Sequence, residues 1–140
     1  MTNNRTLTII KPGAFKRDKT GEILKIIENA GFKIKAMKLL KMTKKNAENF
    51  YAIHKGKDFY NDLVEFMSSG YIVAAILEKE NAVEDFRTLI GNTDPAIAAE
   101  GTIRHLYGVS VKENAVHGSD SDTNALKECA FFFSQLEIID

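Results

Sequence analysis

Cysteine occurs once in the 140 residues, at Cys129, so the chain can close no internal disulfide and build no cysteine-ligated zinc site. Its place on the apolar side of the last helical stretch reads as packing. The three histidines, His54, His105 and His117, show no paired metal-ligand spacing, which leaves a protein-held zinc without a ligand pattern. Neither sign of charge is in excess, with 19 Lys and Arg against 19 Asp and Glu. No global field therefore draws the protein to nucleic acid or to an anionic membrane, and any anion must be held by a local basic cluster. Long apolar runs are missing too. The longest, Ile72 to Leu77, is far short of a membrane span, and Met1–Arg5 lacks the apolar core of a signal peptide. These absences predict a soluble, cytoplasmic protein with no membrane and no nucleic-acid partner. The glycine patterns that cradle nucleotides are absent as well. The only Gly-Lys pair, Gly56-Lys57, has Tyr51 where a Walker loop needs its first glycine, and no Gly-x-Gly exists for a Rossmann fingerprint.

What is present predicts one domain over residues 1–140, since 44% hydrophobic content in this length suffices for a single core and not for two. Leu7-Thr8-Ile9-Ile10 is a short strand stopped by Lys11-Pro12-Gly13, which leaves Lys11 at a strand end. Helical spacing from Thr20 to Ala30 turns Ile23, Leu24, Ile27 and Ala30 inward, with Gly31 just past the end. Phe32 to Ala36 alternates with period two and continues through Leu39-Leu40, a strand with Lys33 and Lys35 on its wet face. Thr43 caps a helix through Ala47, Phe50 and Tyr51, and a basic loop then leads to a helix with Leu63, Val64 and Met67 inward. Tyr71 to Leu77 has no polar alternation and reads as a central strand covered on both faces. Asn81 with Glu84 resembles a capping box ahead of Val83, Phe86, Leu89 and Ile90, and Gly91 ends that helix. Asn92 to Glu113 lacks clear structure, and a segment of that length in a compact domain is usually functional. From the order of elements alone the class is α+β with a mixed or antiparallel sheet.

The chemistry centres on Asn114-Ala115-Val116-His117-Gly118-Ser119-Asp120-Ser121-Asp122, an apolar run ending on a histidine and breaking into good helix caps. Ala125, Leu126, Cys129, Ala130, Phe132 and Phe133 follow at helical spacing, so His117 sits where a strand hands over to a helix, with glycine rather than a side chain beside it. Imidazole is largely uncharged near neutral pH and can attack phosphorus to form a transferable phosphohistidine, while a lone histidine in a turn is usually structural or incidental. Lys11, Arg87 and Arg104 stand at element ends beside the neutral hydrogen-bonding groups of Thr93 and Asn114. Arginine forks and a lysine point charge suit a polyphosphate if they converge.

Arg5-Thr6-Leu7-Thr8-Ile9-Ile10-Lys11-Pro12, Phe59, Ser69-Gly70, Phe86-Arg87, Gly91 to Ala96, Gly101-Thr102-Ile103-Arg104 and above all Asn114 to Asp120 resemble nucleoside diphosphate kinases, from about Arg5 to about Phe133. The resemblance implies a ferredoxin-like α+β sandwich with a four-stranded antiparallel sheet, assembled into homo-oligomers, either tetramer or hexamer. It implies ping-pong transfer of the γ-phosphate from ATP or another nucleoside triphosphate to a nucleoside diphosphate through phosphorylated His117, with Mg²⁺. On that reading Lys11, Tyr51 and Asn114 contact the transferred group and the sugar hydroxyls. Arg87, Thr93 and Arg104 hold the remaining phosphates, and Phe59 stacks on the base. Glu128 orients the imidazole, Ser119 supports that arrangement, and Asp120 touches the metal through water. Stacking on one aromatic face tolerates any base.

The sequence departs from the family pattern at Gly13, Asp58, Tyr71 and Asp94, none of them assigned to chemistry. Two other classes fit part of the chain: a non-catalytic nucleotide-binding scaffold of the same fold, and a phosphohistidine carrier serving a partner protein, which needs neither Phe59 nor a triphosphate clamp.

Overall fold

The computed structural model describes residues 4–139, so the part of the N-terminal reading that falls on Met1–Asn3 lies outside the described residues. Strands β1 (Arg5–Ile10), β2 (Lys33–Lys41), β3 (Tyr71–Glu78) and β4 (Val116–Gly118) form one antiparallel sheet of order β2-β3-β1-β4. The helices are α1 (Pro12–Lys16), α2 (Thr20–Asn29), α3 (Lys44–Phe50), α4 (Tyr60–Met67), α5 (Ala82–Ile90), α6 (Ile103–Tyr107) and α7 (Asp122–Phe132). This is the expected ferredoxin-like α+β arrangement, with α3 and α4 inserted between β2 and β3.

Alternation along the strands divides the interior into two cores. Leu7 and Ile9 with Ile72, Ala74 and Ile76 face α3, α4 and α7, while Ile10 with Val73, Ala75 and Leu77 faces α2, α5 and α6. Both faces of β1 and β3 are thereby covered, which is why β3 reads as an unbroken apolar run. Tyr71 is the exception, exposed at the strand's start against Phe15. Among the described residues no helix is long and apolar enough to cross a membrane.

Several local expectations are corrected. The period-two reading of β2 breaks at a bulge between Ile34 and Ala36, so Lys35 leaves the ladder and pairs with Glu78 (3.7 Å), while Met37 and Leu39, opposite Ala75 and Val73, are exposed. Asn81 forms no capping box. It sits in the left-handed region (φ 58°) and its amide donates to Asp85 Oδ1 at 3.3 Å. The segment from Asn92 to Glu113 holds a 3-10 turn, Pro95–Ile97, and α6, capped by Asp94 and Thr102. In α7 the buried residues are Ala125, Cys129 and Phe132, whereas Leu126 is 61% exposed and Ala130 faces solvent.

After α7 the chain returns along β2. Lys38 pairs with Glu137 (2.9 Å) and lies over the Phe133 ring, Ile138 packs on the first core, and the Ile139 N–H donates to the bulge carbonyl of Lys35 at 2.8 Å.

Candidate active site

The site forms where β1 and β4 lie side by side, with Ile9 opposite His117 and Ile10 opposite Val116. β1 ends at Lys11, whose N–H donates to Ala115 O (2.9 Å) and whose ammonium donates to Asn114 Oδ1 (2.7 Å). The Asn114 amide donates in turn to Thr93 O at 3.0 Å, tying the loop after α5 to the entrance of β4.

Between Asn114 and β4 the backbone makes a γ-turn, with Ala115 at φ 74° and Val116 N–H donating to Asn114 O at 2.9 Å. A residue with a β-carbon held there stores on the order of 1–3 kcal/mol of strain. Ala115 is fully buried, and its carbonyl is held by Lys11, so the surroundings over-determine the turn. Nothing in a short apolar run announces it.

His117 Nε2 lies 2.7 Å from Glu128 Oε1, reached from the middle of α7. Ser119 Oγ donates to the same oxygen (2.8 Å) and accepts from Leu7 N–H (3.2 Å), which moors the carboxylate to β1. A carboxylate only accepts, so the network assigns the hydrogen to Nε2 and leaves the Nδ1 lone pair free of any hydrogen-bond partner among the described residues. The imidazole is braced edge-on by Phe50, centroids 5.4 Å apart, and by Tyr51 at 6.5 Å. Gly118 is required against α5 rather than beside the ring: a β-carbon there would stand 2.9 Å from Phe86 Cδ2 and 3.0 Å from Ile90 Cδ1.

These groups open into a cavity of about 930 Å³, within the usual range for a ligand site. Lys11, Arg87 and Arg104 line it together with Thr93 and Asn114, so the basic residues separated in sequence share one wall. Arg104 is fixed by donating to Gly91 O and Val116 O, both at 3.0 Å, while each terminal nitrogen keeps a second N–H; its Nε is buried without a partner among the described residues. Crowding marks this wall. Burial, then the Arg104 charge, pulls the Lys11 ammonium down to about 7 from 10.5, and burial, then Arg87, lowers Arg104 to about 10. Among the described residues no carboxylate pairs with these three cations, and cations gathered in this way are the electrostatic form of an anion site.

Tyr51 lines the same cavity with its hydroxyl buried and unpartnered among the described residues. Burial and then the Glu128 charge raise its pKa, so it stays protonated. Asp120 also lines the cavity, one oxygen accepting from Asn124 at 2.6 Å, and among the described residues no group of three metal-ligating side chains is assembled. Asp94 is not among the lining residues; its carboxylate caps the following turn by accepting from Ala96 N–H at 3.0 Å.

At the mouth Phe59 is 45% exposed, which does not fit a core-packing role. His54 packs against its ring at 5.2 Å, and the Lys57 ammonium lies 5.8 Å from its centroid. Burial and then Lys57 lower the His54 pKa. Val111, also exposed, lines the same cavity as Phe59. Val111, His54 and the brace of Phe50 were missed in the sequence, where a valine in an unstructured stretch and a phenylalanine in a helix carry no functional signal.

Comparison with known proteins places the chain in context. The family model described as nucleoside diphosphate kinase matches residues 4–138. The chain is 58% identical over 135 residues to a nucleoside diphosphate kinase of Chloroherpeton thalassium, covering 96% of each chain. Among solved structures, the nucleoside diphosphate kinase of Aquifex aeolicus superposes with TM-score 0.96 at 44% identity, covering 97% of this chain and 99% of that one. A halophilic nucleoside diphosphate kinase from Halobacterium salinarum, in complex with CDP, gives TM-score 0.92 at 34% identity over 100% of this chain and 93% of that one.

Proposed function

The chain belongs to the nucleoside diphosphate kinase family, and on that footing we propose that its phosphoryl transfer runs through Nδ1 of His117. The enzyme is a phosphotransferase between nucleotides. One observation carries the route: an imidazole with its Nε2 hydrogen held by Glu128 stands in the same cavity as Lys11, Arg87 and Arg104.

A nucleoside triphosphate, usually ATP, enters with its base against Phe59 and Val111 and its phosphates toward the basic wall. Arg87, Arg104 and Thr93 hold the phosphates that stay behind, and Lys11, Tyr51 and Asn114 meet the transferred group and the sugar hydroxyls. The Nδ1 lone pair forms the new P–N bond as the bond to the bridging oxygen breaks, and that electron pair leaves on the nucleoside diphosphate. Glu128 keeps the Nε2 hydrogen and offsets the positive charge that develops on the ring, a nucleophile oriented by a third group. Transfer of this kind asks for positioning and charge neutralisation above all. An acceptor diphosphate then occupies the same cavity and reverses the step, so the two half-reactions alternate.

Mg²⁺ carried on the nucleotide's phosphates would neutralise part of their charge, and Asp120, whose carboxylate lines the cavity, is the residue that would meet it, through water. The same reading has residues 1–140 working as one domain in the cytoplasm and assembling as a tetramer or hexamer. Exposed Met37 and Leu39 on the edge strand, beside Tyr71, offer apolar surface for assembly.

Incubation with γ-labelled ATP and then GDP tests the proposal. The kinase forms an acid-labile label on His117 and delivers it to GDP. A protein that takes no label is a scaffold, and one that keeps its label until a partner protein arrives is a carrier.

A further inference from the structure

Gly13 is the second residue of α1, two positions beyond Lys11, and the carboxylate of Glu113 occupies the space that its β-carbon would take. Arg17, at the C-terminal cap of α1, faces that carboxylate at 3.9 Å and donates from Nη2 to Tyr107 O at 2.9 Å. Glu113 also closes the loop before β4. Its carbonyl accepts from Val109 and Ser110 N–H at 2.8 and 3.2 Å, and its own N–H donates to Ser110 Oγ at 3.1 Å. The next residue is Asn114, which receives the Lys11 ammonium. One side chain thus spans the two segments that carry Lys11 and Asn114, and it can do so only because position 13 has no side chain.

We propose that Glu113, seated on Gly13 and paired with Arg17, is a positioning residue for phosphoryl transfer, setting the separation of Lys11 and Asn114 about the transferred group. This rests on His117 as the nucleophile. Among the described residues no hydrogen bond or ion pair joins the carboxylate to a group lining the cavity. Both members of the ion pair are partly exposed, with side chains 37% and 31% accessible, so the pair contributes little to folding and its effect falls on geometry. Misplacing groups that bind the transition state lowers the rate at saturation more than it raises the concentration needed for half-saturation. A carboxylate moved from position 113 to position 13 stays within reach of Arg17, because residues four apart on a helix are neighbours.

Single-turnover labelling of His117 by γ-labelled ATP provides the test. Glu113→Ala and Gly13→Asp are each expected to slow labelling at saturating ATP about tenfold, the second by crowding two carboxylates together, with the ATP half-saturation concentration changed less than about twofold. The double variant G13D/E113A is expected to recover to within about threefold of wild type. Single variants at the wild-type rate, or a double variant whose loss is the product of the single losses, would overturn the inference. If G13D does not fold, E113A and Arg17→Gln replace it: losses that fail to multiply in their double variant support the pairing, and losses that multiply overturn it. A wild-type protein that takes no label overturns the site reading, and this inference with it; a labelled wild type with indifferent variants overturns the inference alone.

Discussion

His117 and Glu128 stand 2.7 Å apart across the junction of β4 and α7, and Ser119 donates to the same carboxylate oxygen, so ring orientation and tautomer are set from behind. Glu128→Ala removes the acceptor for the Nε2 hydrogen and lets the ring rotate. Such orienting partners commonly contribute tenfold or more, and we expect labelling by γ-labelled ATP to slow by roughly 10–100-fold in this variant. His117→Ala is expected to take no label while its circular dichroism and nucleotide binding stay near wild type. Labelled H117A would move the nucleophile elsewhere.

Lys11 is expected to make nucleotide binding pH-dependent. Burial, then the Arg104 charge, pulls its ammonium down to about 7, so at pH 8 much of it is neutral. A polyphosphate favours the charged form, and ADP binding at pH 8 is therefore expected to take up protons, seen by calorimetry in buffers of different ionisation enthalpy. Affinity should strengthen as pH falls from 9 toward 7. For folding the sign is opposite. The folded pKa lies below 10.5, so between about 7 and 10.5 the unfolded chain holds a proton that the folded one lacks, and this group's contribution to stability rises with pH. ADP binding without proton uptake at pH 8 would rule the assignment out.

Phe59 presents its ring at the cavity mouth rather than to the core. Phe59→Ala is expected to weaken purine and pyrimidine nucleotides alike by about 1–3 kcal/mol, the range for one lost stack, and to leave the denaturation midpoint nearly unchanged. Equilibrium titration with ADP, GDP and CDP checks this, and unaltered affinity for all of them would remove Phe59 from the site.

Gly118 touches α5 through the space where a side chain would be. Gly118→Ala forces Phe86 or Ile90 aside and is expected to destabilise the protein by about 1–3 kcal/mol in urea unfolding, with slower labelling because β4 shifts with its neighbour His117. A variant as stable as wild type would show that α5 yields freely.

Much of the scaffold was legible because single residues carry clear physics. Gly31 and Gly91 mark helix ends by taking positive φ, Thr43 caps α3, and the buried β3 has no polar residue from Ile72 to Leu77. α6 was not legible: it is five residues long, Ile103 is its one buried residue, and no period can show in so short a span. In α7 the apolar spacing picked out Ala125, Cys129, Phe132 and Phe133, which are buried, but also Leu126 and Ala130, which are left to solvent because the helix turns Glu128 toward the cavity, and an apolar count does not distinguish these. For the site, the residue types were readable but their meeting was not. Lys11, Arg87 and Arg104 share a wall through the pairing of β1 with β4 and the packing of α5 and α6, all of which join distant parts of the chain. Glu113 on Gly13 left no trace, since the device consists of a missing atom in one place and a carboxylate a hundred residues later.

Residues 134–139 are stitched to the sheet's border through Glu137 and the Ile139 amide. A reporter or affinity handle fused behind them starts from an anchored stem, and it leaves the molecule beside the outer strand. Trimming back to Phe133 would uncover the Lys35 carbonyl and a bare strand margin, the kind of surface that recruits foreign strands and seeds aggregates.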